Sequence, residues 1–222
     1  MVSRGAEGIR IGDDVDAERA MLADSLESVG PDAETACGAW TAFDLAAHVV
    51  AADRAAGTLA FGVRALAARG VQLHPKPQFV KGVIQRERRD GYRAVIGRLR
   101  RRCPRLLVAP PVAASTLFEV WMHHDDLAEA NGLPHGSPVH LARAIPSLVR
   151  YHAKRLPSAR IMLRTNENQE WSFGAADQPI AVLTGSAADM VRWLAGRRPM
   201  SVLDVEAAAD VADELRAFLG EI

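Results

Sequence analysis

The sequence predicts an α+β protein, with a four-helix bundle over residues 1–134 and a smaller α+β domain over residues 135–222. Two observations carry this prediction. Four long segments in the first two-thirds of the chain place apolar residues at helical spacing. Short runs of β-forming residues, separated by turn-forming residues, follow Pro157. The chain has 222 residues, of which 49% are hydrophobic, so it can bury a substantial core.

Four segments of the first part have the periodicity of amphipathic helices: Asp14–Val29, Thr41–Arg64, Val80–Arg102 and Thr116–Ala130. The second segment begins with Thr41 and Asp44, which are spaced as a reciprocal capping pair. The fourth ends at Asn131-Gly132, because glycine readily takes the left-handed conformation that terminates a helix. Bundles of this kind build metal sites from side chains on facing helices.

The second part opens with a predicted helix over Val139–Leu156, which Pro157 ends. Four short strands are predicted after it: Arg160–Arg164, Glu170–Phe173, Ile180–Leu183 and Val202–Val205. The segment Thr165–Asn168 predicts a hairpin turn between the first two strands. Short helices are predicted at residues 185–194, between the third and fourth strands, and at Asp210–Leu219.

Charge and composition argue against several classes of partner. The 27 basic and 27 acidic residues give a formal net charge of zero, which is not typical of a nucleic-acid-binding protein. No apolar stretch reaches transmembrane length and the N-terminal residues are polar and mixed, so we expect a cytoplasmic protein without a membrane partner. Two cysteines do not make a disulfide framework. We expect a monomer or a homodimer.

The segment Thr116–Ala130 carries the chemistry-bearing residues. Glu119 and His123 are four residues apart, so a helix places them on one face with mostly apolar neighbours. This face is expected to point into the core, where an unpaired carboxylate would be costly. A divalent metal is one partner that would satisfy both groups, because Glu and His are common zinc ligands.

His48 is the best candidate for a third ligand. It lies within the apolar stripe of its own predicted helix and should therefore face the core as well. Two histidines and one glutamate leave a fourth zinc position open, which is the pattern of a catalytic site. The alternative is that each inward histidine is a core residue satisfied by ordinary hydrogen bonds, and that Glu119 and His123 form a plain side-chain contact.

The residues after His123 are more ambiguous. His124 lies about 100° around the helix from His123, so it is expected to face solvent or a seam between helices. Asp126 follows His123 by three residues and could orient that imidazole from behind. Asp125 is expected on the solvated surface of the helix.

Three segments resemble one known family. W-T-x-x-D-L-x-x-H at Trp40–His48 resembles the N-terminal domain of mycothiol-dependent maleylpyruvate isomerases, which belongs to the DinB-like metal-binding four-helix bundles. F-E-V-W-M-H-H-D-D-L-A-E-A-N-G at Phe118–Gly132 looks like the metal-binding helix of that family. G-S-A-A-D-M-V-R-W-L-A-G-R at Gly185–Arg197 resembles its C-terminal domain, of sterol-carrier-protein-like fold. The three segments occur in the family's order.

The resemblance implies that His48, Glu119 and His123 bind a divalent metal, zinc being the first expectation, and that mycothiol is the cosubstrate. The partners would then be a small-molecule substrate and the thiol. The implied activity is isomerisation of maleylpyruvate or an S-transfer, with a metal-bound thiolate as nucleophile. Arg197 is the candidate catalytic residue, holding a carboxylate of the substrate or thiol, and Arg198 is an equal rival for that role.

Two other functions stay open at this point. A metal-dependent hydrolase would use metal-bound water and turn over without thiol. A non-catalytic protein would hold an apolar or thiol-linked ligand. Neither Cys37 nor Cys103 has a neighbouring His or Asp in the sequence, so the chain offers no evident nucleophile of its own.

Overall fold

The structure is a computed structural model that describes residues 4–56, 77–110, 112–152 and 159–218. The chain divides into two compact units, Met1–His140 and Leu141–Ile222. The described residues of the first unit form helices, and those of the second combine helices with a four-stranded sheet. The predicted α+β class is confirmed. Within the described ranges, no helix has both the length and the apolar character needed to span a membrane.

The first unit is built from helices that pack around a shared core: α1 (Arg4–Val29), α2 (Ala42–Ala56), α3 (Pro77–Arg88), α4 (Tyr92–Leu99) and α5 (Ala113–Asn131). Helix α1 packs along α5, and α2 packs against α3, α4 and α5. Buried aliphatic side chains from α1, α2, α4 and α5, among them Leu22, Leu45, Val95 and Leu127, form the core between them. Helix α5 therefore contacts helices on more than one side.

The single third helix predicted over Val80–Arg102 is wrong. A turn separates α3 from α4, and Gly91 in that turn has a φ of 84°. Only glycine adopts this conformation without a steric penalty, so the helix is interrupted here although the apolar periodicity continues. The first helix also starts earlier than predicted, at Arg4. Residues 57–64, which complete the predicted second helix, lie outside the described residues.

The ends of the two site-bearing helices follow the sequence prediction. The backbone N–H of Asp44 donates to Oγ1 of Thr41 at 3.3 Å, and the backbone N–H of Thr41 donates to Oδ2 of Asp44 at 3.2 Å. This reciprocal cap begins α2. Gly132 has a φ of 63° and its N–H donates to the carbonyl of Ala128, which ends α5.

The second unit carries a sheet in the order β2-β1-β3-β4. Its elements are a 3₁₀ turn (Leu141–Ala144), α6 (Ile145–His152), β1 (Arg160–Thr165), β2 (Glu170–Phe173), β3 (Ile180–Gly185), α7 (Ala187–Leu194), a second 3₁₀ turn (Met200–Val202), β4 (Asp204–Glu206) and α8 (Ala209–Phe218). Strand β1 pairs antiparallel with β2 and parallel with β3, and β3 pairs antiparallel with β4. The predicted hairpin is present, and the fourth strand begins two residues later than predicted.

Candidate metal centre

His48 projects from α2 toward α5. The centroid of its ring lies 4.9 Å from that of His123, and the two rings meet edge to face. The Trp40 ring centroid lies 4.9 Å from that of His48 and 6.0 Å from that of His123, so the three rings form one cluster. Burial, together with the nearby charge of His123, lowers the pKa of His48 to about 3. The imidazole is therefore neutral at physiological pH, which is the form that binds a metal.

Glu119 and His123 lie one turn apart on α5. Oε2 of Glu119 is 3.6 Å from Nε2 of His123. The His123 side chain is only 10% exposed, as predicted, but the Glu119 side chain is 43% exposed. The expectation that Glu119 faces the core is therefore wrong, because this carboxylate reaches the imidazole from the solvent-accessible side of the helix.

The three predicted residues come together. One ligand atom each from His48, Glu119 and His123 lies within 4.8 Å of the other two. The group spans two helices, and the contact between α2 and α5 determines its geometry. Two imidazoles and a carboxylate at such distances form a donor set suited to zinc or a similar divalent ion.

Asp126 lies behind the His123 ring. Its Oδ2 is 3.4 Å from Nδ1 of His123, and its side chain is 2% exposed. Burial by itself lowers the pKa of His123, but interactions with Asp126 and Cys37 outweigh it and raise the pKa to about 10. The His123 imidazole is therefore protonated at neutral pH when no metal is bound. A bound metal ion would replace that proton.

Residues 13–116 match the family model described as the mycothiol maleylpyruvate isomerase N-terminal domain. Over this range the chain is similar to that domain family. The resemblance inferred from the sequence is thereby confirmed. The matched range contains His48 and ends three residues before Glu119.

Two solved structures share the fold of nearly the whole chain. One is a mycothiol-dependent maleylpyruvate isomerase, with 16% identity and a TM-score of 0.59, covering 90% of this chain and 92% of that one. The other is such an isomerase with a histidine-to-alanine substitution, with 16% identity, a TM-score of 0.58 and the same coverage. A search of curated proteins found no significant sequence match.

Within the first unit, Cys37 adjoins the candidate centre. Its thiol donates to Oδ2 of Asp126 at 2.8 Å, and its Sγ lies 3.5 Å from Nδ1 of His123. Cys37 has no neighbouring His or Asp in the sequence, but the fold supplies both. The neighbours come from a distant helix, and nothing in the residues next to Cys37 could have predicted them.

His124 and Asp125 are both buried, at 3% and 6% exposure. His124 lies in the seam between α5 and α1, where it contacts Glu18 and Ser25. Asp125 pairs with His135, so its predicted position on a solvated surface is wrong. Polar residues usually lie on the solvent-exposed face of a helix. Helix α5 contacts helices on more than one side, so its polar residues 123–126 are buried between them.

Arg197 lies in the second unit, just after α7. Its backbone N–H donates to the carbonyl of Arg192, and the N–H of Gly196 donates to that of Trp193. With a φ of 71° at Gly196, this is a Schellman motif that ends α7. The Arg197 side chain is half-buried and that of Arg198 is exposed. A substrate role for Arg197 stays a prediction.

A depression of about 500 Å³ lies elsewhere on the first unit, between α2 and α4. Asp53, Arg54 and Arg98 are among its lining residues, and none of the three candidate ligands is. Several of its charged side chains form ion pairs across the helices, with Asp53 paired to Arg19 and Arg54 to Glu87. The depression is thus lined by side chains that pair with one another, and it is separate from the candidate metal centre.

Proposed function

We propose that this protein is a metal-dependent enzyme that uses mycothiol as a cosubstrate, acting as a maleylpyruvate isomerase-like enzyme or as a thiol S-transferase. The observation that carries the proposal is the convergence of His48, Glu119 and His123 within a unit that matches the isomerase N-terminal domain. Two structural neighbours named as isomerases of this class support it through a shared fold.

The donor set fits a divalent metal, with zinc as the first expectation. The His48 imidazole is neutral, as a ligand must be. Nδ1 of His123 faces Asp126, which leaves Nε2 on the side of Glu119. A carboxylate behind a ligating imidazole is the arrangement that fixes its orientation and raises its basicity. Three protein ligands leave room for one exogenous ligand.

When bound, such a metal supplies a Lewis acid that favours the thiolate form of a thiol at neutral pH. The residues of the chain hold and orient the donors. Asp126 fixes the tautomer of His123, and the Cys37 thiol donates to Oδ2 of Asp126, the same oxygen that faces His123. Trp40 packs against the His48 ring and restricts its rotation.

The reaction proposed is an addition followed by an elimination. The sulfur of mycothiol adds to the cis double bond of maleylpyruvate, which leaves a single carbon–carbon bond free to rotate. Expulsion of the same thiol restores the double bond in the trans form and gives fumarylpyruvate. No net atom is gained or lost, so the thiol is regenerated. Arg197 is proposed to hold a carboxylate of substrate or thiol, since a guanidinium matches that geometry.

The test combines metal content with turnover. Full-length protein, purified without a chelator or a His tag, is analysed by mass spectrometry for metal and assayed for fumarylpyruvate with and without mycothiol. We expect metal-dependent turnover that requires the thiol and is lost in His48→Ala. His140→Ala is the matched control, because His140 pairs with Asp14 outside the candidate centre.

Two results would contradict the proposal. Turnover of an ester or amide without thiol would indicate a hydrolase. Retention of metal at full occupancy in His48→Ala, together with absence of thiol-dependent turnover in the wild type, would show that the three residues do not form the catalytic centre.

A further inference from the structure

We propose that Glu18, His124 and His135 form a second divalent-cation site, separate from the His48 group and on a different face of α5. Glu18 comes from α1, His124 from α5 and His135 from the segment that follows α5. One ligand atom from each residue lies within 4.8 Å of the other two. The two groups have no residue in common, so each can be tested alone.

The position of this site follows from helix geometry. Successive residues of an α-helix point about 100° apart. His123 therefore faces α2, where it meets His48, while His124 faces α1, where it meets Glu18. The contact between α1 and α5 is the most extensive helix contact among the described residues, and it places this group in the interior.

The three side chains are almost completely buried. Side-chain exposure is 1% for Glu18, 3% for His124 and 5% for His135. Oε1 of Glu18 lies 2.5 Å from Nδ1 of His124 and 2.9 Å from Nε2 of His135. One carboxylate oxygen thus faces two imidazole nitrogens in a space from which water is largely excluded.

The second oxygen of Glu18 is the observation that points to a ligand. Oε2 is buried and has no hydrogen-bond partner within the part of the chain that the structure describes. A buried carboxylate oxygen without a partner is costly, and such groups in folded proteins usually have a bound ion or water. A cation next to Oε1 would also be within reach of Oε2, because carboxylates bind metals through one or both oxygens.

Each imidazole has a second polar partner on its far nitrogen. Nε2 of His124 lies 2.9 Å from Oγ of Ser25, and Nδ1 of His135 lies 3.0 Å from Oδ1 of Asp125. Metal-binding histidines regularly use the far nitrogen in this way, and the partner fixes the tautomer. Trp121 stacks on His135, with ring centroids 5.3 Å apart, and holds the plane of that ring.

The charge balance also fits a divalent cation. Glu18 and Asp125 place two carboxylates around two imidazoles in the interior. Electroneutrality needs either two imidazole protons or one divalent cation with neutral imidazoles. The pKa of Glu18 is lowered by its hydrogen bonds to His124 and His135 in spite of burial, which raises it. This carboxylate is therefore charged and available as a ligand.

Binding needs only a small adjustment. Zinc–ligand bonds of about 2.0–2.1 Å in a tetrahedron place ligand atoms roughly 3.3 Å apart. The contacts of Glu18 with the two imidazoles are shorter, so these side chains would separate by up to about 1 Å when metal replaces the protons. We expect the two imidazoles to release protons when the metal binds.

The experiment counts metal sites in the full-length protein. Chelator-treated protein is titrated with Co²⁺ and followed by its visible absorption, and zinc per chain is measured by mass spectrometry after reconstitution. The variants are His48→Ala for the first centre, Glu18→Gln and His135→Ala for the second, and His140→Ala as the control. His140 lies close to His135 in the sequence and also pairs with a carboxylate of α1, but it belongs to neither group.

We expect two equivalents of Co²⁺ in the wild type and in His140→Ala, and one in His48→Ala. Glu18→Gln and His135→Ala should each lose one equivalent while retaining the His48 centre. Should Glu18→Gln fail to fold, His135→Ala decides, because His135 lies outside the helices.

A wild type that binds only one equivalent of Co²⁺, and loses it in His48→Ala, would overturn the proposal. The Glu18, His124 and His135 cluster would then hold protons and no metal. If Glu18→Gln and His135→Ala each lose one equivalent of Co²⁺ while His48→Ala loses none, the second site is supported even though the His48 centre binds no metal.

Discussion

Asp126 and His123 form the contact on which the candidate centre depends. Oδ2 of Asp126 lies 3.4 Å from Nδ1 of His123, while Nε2 of the same ring lies 3.6 Å from Glu119. The imidazole thus has one carboxylate on each nitrogen. Only one of these carboxylates is buried, at 2% side-chain exposure for Asp126 against 43% for Glu119. The buried one is placed to orient the ring.

Substitution Asp126→Asn should weaken metal binding without removing a ligand. We expect the affinity for Zn²⁺ to fall about 10- to 100-fold, since that is the usual effect of losing a carboxylate behind a ligating histidine. Competition with a chromophoric chelator measures the change. Glu129→Gln serves as the control, because Glu129 is an exposed carboxylate on the same helix. An unchanged affinity in Asp126→Asn would show that this contact does not support the metal.

Removal of metal should lower the melting temperature. A ligand that binds only the folded state stabilises it by mass action, about 2.7 kcal/mol when its free concentration is one hundred times the dissociation constant. Differential scanning fluorimetry with and without a chelator measures the shift. The shift should be smaller in His48→Ala than in the wild type, and the same in His140→Ala. Coincident melting curves for the wild type would argue against a stabilising metal.

The ion pair between Arg19 and Asp53 should contribute strongly to stability. The guanidinium is 1% exposed and donates two hydrogen bonds to the carboxylate, at 3.0 and 2.8 Å. Substitution Asp53→Ala leaves this buried charge without its partner, and we expect a loss of about 3 kcal/mol in the free energy of unfolding. Urea denaturation measures it.

The control for this prediction is Asp24→Ala. Asp24 pairs with Arg100 at 2.5 Å, but the two side chains are 67% and 39% exposed, so the loss should be close to the limit of detection. Equal losses in the two variants would show that burial does not distinguish the pairs.

The two cysteines should differ in reactivity. Burial raises the pKa of Cys103 to about 12, so this thiol is almost entirely protonated at pH 8. Cys103 is also only 7% exposed, whereas Cys37 is half-buried. Alkylation of native protein with iodoacetamide, followed by peptide mass mapping, should modify Cys37 first and Cys103 only after unfolding or at strongly alkaline pH. Faster modification of Cys103 at pH 8 would contradict this.

Local patterns predicted much of the fold. Thr41 and Asp44 lie three residues apart, so their mutual cap needs nothing from the rest of the chain. The same holds for Gly132 at the end of α5 and for the hairpin between β1 and β2. The break at Gly91 was not predicted because the apolar periodicity continues across it, and a single residue with positive φ does not change that periodicity.

The sequence by itself determined that Glu119 and His123 share one helix face and that His48 lies within an apolar stripe, because helical spacing alone fixes both relationships. Only the tertiary structure decided which distant partners those residues meet. Cys37 contacts Asp126 across 89 positions, and Glu18 contacts His135 across 117. Such contacts depend on the packing of α1 and of the loop before α2 against α5. Packing of this kind arises from side-chain shapes on several elements together and leaves no periodic trace in any one of them.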